Sequence, residues 1–148
     1  MITSEYALVD TNALVYAADK TSPFHQSAKT LRDKGLAGKS SLCVCPQVLN
    51  EFFAVVTDPK RVGSPRSQEE ALFEIDKYHR SRNILKIFPG PHVIEKTLDL
   101  LKRQYNTTKQ GIFDLHLVAT MLSNNVTRIY IYNQDHFTKF NEIQLLTP

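Results

Sequence analysis

The stretch LVDTN at residues 8–12 closes a short apolar run, YALV at 6–9, with a carboxylate; the chain then changes to TNALVYAAD, which has helical composition. This is a strand turning into a helix at Asp10. No Lys or Arg stands beside it in LVDTN. An ionised carboxylate buried alone costs several kcal/mol or more, so Asp10 must be hydrogen-bonded, paired or bound to a cation. Two local roles stay open: an N-cap or Asx-turn before the helix, or a ligand at the carboxyl end of a strand.

The rest of the chain supplies the frame. Ser22 and Pro23 are a good N-cap and first helical residue, predicting a helix through FHQSAKTLRDKGLAG to Gly35 or Gly38. SLCVC at 41–45 is strand-like, and Pro46 opens the helix PQVLNEFFAVVTD, ended by the pre-proline Asp58. PKRVGSPRS at 59–67 is a basic loop and QEEALFEIDKYHR is helical. ILKIF at 84–88 is a strand. PHVIEKTLDLLKRQY has apolar residues at 94, 98, 101 and 105, a helical stripe. A helix from about Phe113, the strand RIYIY at 128–132, a turn at NQDHFTKF and an edge strand at IQLL complete the pattern. Strands alternating with helices define an α/β fold with a largely parallel sheet and helices on both faces.

At 148 residues, 42% hydrophobic and 22% charged, the composition is that of one globular domain, 1–148. The apolar runs are far shorter than the roughly 20 residues that cross a bilayer. MITSEYALVD lacks the basic and apolar regions of a secretory leader, so a cytoplasmic protein is expected. Cys43 and Cys45 lie on one strand face in poor geometry for a bridge, and with no further cysteines they read as core residues. A net charge of +3 permits a polyanionic partner without demanding one.

Two more carboxylates keep apolar company. Glu51 is the only charged residue between Pro46 and Val56, in a helix apolar nearly all round and so expected to be buried. Asp114 lies in FDLHLVATML near a helix N-terminus, where a helix cap is the competing reading. Asn133 and Asp135 follow the RIYIY strand as oxygen ligands or turn residues. Were such acids about 4 Å apart, each pair would repel by roughly 4 kcal/mol at an effective dielectric near 20. A divalent cation relieves this, and hard oxygen donors favour Mg²⁺ or Mn²⁺ over zinc.

The order of LVDTN, Glu51 in its apolar helix, GIFDLHLVAT, and a strand followed by YNQDHF resembles the PIN-domain ribonucleases, most closely VapC-type toxins of toxin–antitoxin pairs. The resemblance spans nearly the whole chain. It implies a three-layer α/β/α fold with a central mostly parallel sheet flanked by helices, and an acidic pocket for one or two Mg²⁺ or Mn²⁺ ions. Asp10, Glu51 and Asp114 match the family's first three acids and would hold the metal. The fourth position falls on Asn133, with Asp135 two residues on as a substitute or aid. The implied reaction is hydrolysis of RNA to 5′-phosphate and 3′-hydroxyl ends, the metal activating a water.

Thr11 and Asn12 could donate hydrogen bonds to a metal-bound water or to the substrate phosphate, and the basic loop residues Lys60 and Arg61 could contact the RNA backbone. His116 and His136 have no role in this mechanism and read as boundary and turn residues. The resemblance further implies a homodimer, an antitoxin filling the groove with Arg or Lys, and an RNA substrate, tRNA or mRNA. Two rivals remain. A haloacid-dehalogenase phosphatase needs an acid where Asn12 stands, and a response-regulator receiver needs acid positions that are absent. A degenerate PIN domain that binds RNA or protein without cutting draws its support from Asn133.

Overall fold

Ala7, Leu8 and Val9 are all buried, as an apolar run in the middle of a parallel sheet must be, and they form the central strand β1 (Ala7–Val9). The computed structural model describes residues 5–103 and 111–148. In chain order the elements are β1, α1 (Thr11–Ala18), α2 (His25–Leu36), β2 (Leu42–Val44), α3 (Pro46–Val56) and α4 (Gln68–Arg80). They continue with β3 (Ile84–Lys86), α5 (Val93–Arg103), α6 (Gly111–Ser123), β4 (Arg128–Tyr130) and β5 (Gln144–Leu146).

The sheet runs β3-β2-β1-β4-β5, and all four pairings are parallel, so the expected mostly parallel sheet is wholly so among the described residues. Ala7 pairs with Leu42 on one side and Arg128 on the other. The chain runs outward from β1 through β2 to β3 and then returns past β1 to β4, where the direction reverses. α1 rests on α2 and α3, α3 on α4, and α5 on α6. The core joins Leu8, Val44 and Ile129 of the strands to Val48, Phe52 and Val56 of α3 and Leu115 and Val118 of α6.

Three details differ from the sequence reading. Helix α2 starts at His25 because the Ser22 hydroxyl accepts the Phe24 amide in a local turn, so Ser22 and Pro23 lie before the helix. Helix α3 buries only one stripe, Val48, Phe52 and Val56, at four-residue spacing, while Asn50, Glu51 and Ala54 are exposed. In α5 the packed residues are Val93, Leu100 and Leu101; Ile94 and Leu98 are 68% and 52% exposed, and Tyr105 lies outside the described residues. Cys43 and Cys45 are buried and free, as the spacing indicates. No described helix is long and apolar enough to cross a membrane.

Candidate active site

The strand order reverses between β1 and β4, and the carboxyl ends of those strands open there into a crevice, the usual ligand position in such sheets. The Asp10 amide donates to the Tyr130 carbonyl at 3.0 Å, closing the two strands up to that point. Beyond it the chains part, one into α1 and one into the turn at Asn133. Asp10, Asn12, Glu51, Arg61, Asp114, Asn133 and His136 line the resulting cleft, whose volume is about 470 Å³.

Asp10 both caps a helix and lines the cleft. It is the N-cap of α1, with Oδ2 accepting the Asn12 amide at 3.4 Å. It also faces the cleft. Burial pushes its carboxyl up to about 6; amides of Asn12 and Thr11 pull it down, and the charges of Glu51 and Asp114 push it up again. Capping therefore falls short of solvating this carboxylate. Asp114 sits in the first turn of α6, is likewise shifted upward by burial, and has His136 Nδ1 3.7 Å from its Oδ2. The His136 and Lys139 charges partly offset that rise, and Glu51 adds to it.

Glu51 reaches the cleft from the exposed side of α3, so the expectation that it is buried is corrected: its face of the helix, with Gln47 and Ala54, turns away from the Phe52 stripe. Its carboxylate is nevertheless fixed. Thr11 Oγ1 donates to Oε2 at 2.9 Å, and Gln47 Nε2 donates to Oε1 at 3.3 Å and to the Phe113 carbonyl at 3.1 Å. The first bond occupies the single Thr11 hydroxyl proton, leaving none to donate to a substrate. Gln47 was invisible to the sequence reading, although its position four residues before Glu51 is the available signal.

The turn after β4 sends Asn133 into the cleft, whereas Asp135 is exposed and does not line it; His136, read as a turn residue, does. Of the basic loop, Arg61 lines the cleft and Lys60 does not. His116, on α6, is also outside the lining.

Among the described residues no three His, Cys, Asp or Glu side chains form a ready cage for a metal ion. The donors Asp10, Glu51, Asp114 and Asn133 all offer hard oxygens, and burial pushes both Asp10 and Asp114 upward, with the charge of Glu51 adding to each rise. Beside Glu51, Gln47 Oε1 is buried with no partner among the described residues. An open cleft of this kind fits a hydrated Mg²⁺ or Mn²⁺, which takes one or two carboxylates and keeps several waters.

A parallel sheet with an acid-lined cleft at its reversal point defines the class. The PIN domain model matches residues 7–143, and the chain belongs to that family. Ribonuclease VapC48 of Mycobacterium tuberculosis is 30% identical over 142 residues, covering 94% of each chain. Ribonuclease VapC24 of the same organism is 26% identical over 140 residues, 95% of this chain and 94% of the relative. Among solved structures, M. tuberculosis VapC20, described as a sarcin-ricin loop cleaving toxin, superposes with a TM-score of 0.67 at 16% identity, covering 96% and 99% of the two chains. VapBC2 of Rickettsia felis, bound to a promoter DNA fragment, gives a TM-score of 0.65 at 17% identity over 97% and 98%.

Proposed function

We propose that this chain is an endoribonuclease of the VapC type, the toxin of a toxin–antitoxin pair, working in the cytoplasm with Mg²⁺ or Mn²⁺. The observation that carries this reading is the convergence of Asp10, Glu51, Asp114 and Asn133 on one cleft at the sheet's reversal point. Relatives named as ribonucleases that match 94% or more of the chain support it. In this reading Asp10 and Asp114 hold the metal, and Glu51 holds it or orients the attacking water, with Asn133 completing the oxygen set. The bound ion supplies charge neutralisation at the scissile phosphate and a water of lowered pKa. Thr11 and Gln47 keep the Glu51 carboxylate in one orientation. Asn12 and Arg61 meet the substrate phosphates, and Lys60 lies on the same loop for a more distant contact.

The partners follow the same reading: RNA as substrate, a cognate antitoxin, and a second copy of the chain. Exposed Leu72 and Phe73 on α4, and Ile94 and Leu98 on α5, are the apolar surface that protein partners would cover. The test is incubation with single-stranded RNA and a folded tRNA in Mg²⁺, Mn²⁺ or EDTA. Cuts that need metal and leave 5′-phosphate ends support the proposal. A second reading, a PIN domain that binds RNA without cutting it, is favoured specifically by an amide at Asn133 in place of a fourth acid. Binding without cleavage under every metal would select it.

A further inference from the structure

One buried charge lies outside the chemistry above. Asp19, the residue that ends α1, is only 6% exposed, and the basic loop packs around it. Its Oδ1 accepts the Thr21 amide at 3.0 Å and the Thr21 hydroxyl at 2.6 Å, and the nearby backbone amides of Gly63 and Ser64 also favour its charged form. Burial pushes this carboxyl up, but those hydrogen bonds outweigh it and hold it below the ordinary value. The loop comes so close that a Cβ on Gly63 would stand 2.5 Å from Thr21 Oγ1.

The loop is pinned at further points. Asp58 caps its first turn, its Oδ1 accepting the Lys60 amide at 2.9 Å and its carbonyl the Arg61 and Val62 amides. Val62 is buried in the core. Arg66 donates from Nη2 to the Ala18 carbonyl at 2.7 Å and from its amide to the Val56 carbonyl at 2.8 Å. Between these anchors stands Arg61, among the described residues the one Lys or Arg on the cleft wall and, unlike Arg66, in none of their ion pairs. A cation held in place beforehand loses less conformational freedom on meeting a phosphate.

We propose that Asp19 is a positioning residue for substrate: by fixing Thr21, against which Gly63 packs, it holds the loop and with it Arg61 over the acidic cleft, where the guanidinium clamps an RNA backbone phosphate next to the one being cut. This rests on the ribonuclease reading and assigns Arg61 its place. Asp19 is in none of the described ion pairs; it is tied instead to Thr21, which meets a loop over 40 residues away in sequence, a geometric task.

The test is steady-state cleavage of a fluorescent single-stranded RNA by the full chain, comparing wild type, Asp19→Asn, Arg61→Ala and the double variant. Each single variant is expected to raise KM by about tenfold with kcat within about twofold, and the double variant to be no worse than Arg61→Ala alone. An unchanged KM in Asp19→Asn, or effects that multiply in the double variant, overturns the proposal. If Asp19→Asn does not fold by thermal melt, Thr21→Ala, which removes one hydrogen bond to Asp19, takes its place under the same criteria. Should wild type cut nothing, the ribonuclease reading falls. Fluorescence anisotropy with the same RNA then decides the inference: Asp19→Asn and Arg61→Ala weaken binding to the same degree without adding, or it is overturned.

Discussion

Thr11 and Glu51 are joined by a 2.9 Å hydrogen bond across 40 residues of sequence, from the first residue of α1 to the exposed side of α3. It ties the carboxylate that α3 delivers to the residue directly after Asp10, so two acids from different elements share one frame. Thr11→Val keeps the shape and removes the donor. The expected cost is about 1 kcal/mol of stability, since water reaches the freed oxygen. Loss of orientation should lower kcat on the order of tenfold with little change in KM. Urea titration and steady-state kinetics measure the two effects separately.

The Asp10 carboxyl gives a pH dependence with a definite sign. Its folded value of about 6 lies above the ordinary 3.8, so its contribution to stability is fully present below about pH 4 and is lost as pH rises through 6. That difference corresponds to at most about 3 kcal/mol. Asp10→Asn, which retains N-capping ability, should therefore be more stable than wild type at pH 8 in EDTA and nearly equal to it at pH 4. Saturating Mg²⁺ at pH 8 should narrow the gap by stabilising wild type. Equal stabilities in EDTA at both pH values would sink the claim that this acid is strained.

Asn133 is the neutral member of the cleft's oxygen set. Asn133→Asp adds a negative charge beside Asp10 and Asp114, and the Mg²⁺ concentration giving half-maximal cleavage should fall by about tenfold. A metal titration that shows no shift would mean that position 133 does not face the ion.

Phe52 is fully buried at the centre of the α3 stripe, one residue from Glu51. Phe52→Ala should cost about 3–5 kcal/mol. For a chain of this length that is a fall in Tm of roughly 10 °C. A much smaller loss would show that α3 is not anchored where the Glu51 geometry requires.

Much of this was legible because a lone acid in apolar surroundings is conspicuous. Asp10 and Asp114 could be picked out by their neighbours alone, and the parallel sheet by alternation of strand and helix. Glu51 was found by the same rule, yet its burial was misread: an apolar helix packed on one side leaves a face to solvent, and which face depends on the neighbours α1 and α4. The α5 stripe failed similarly. Leu101 of the expected stripe is packed, but Ile94 and Leu98 are exposed and Val93 and Leu100 are packed instead, a choice made only by the packing on α6. The sequence favours Asp135 over His136, yet His136 and not Asp135 lines the cleft, because the turn after β4 decides which side chain enters it. Asp19 was overlooked because its partners, Gly63 and Ser64, contribute backbone amides that no residue type announces.

The most direct test of the central claim compares wild type with Asp10→Asn on end-labelled single-stranded RNA in Mg²⁺, with the 5′ ends of the products analysed. The account predicts discrete cuts with 5′-phosphate ends by wild type, abolished by EDTA and by Asp10→Asn. Cleavage that persists undiminished in a folded Asp10→Asn variant would contradict it.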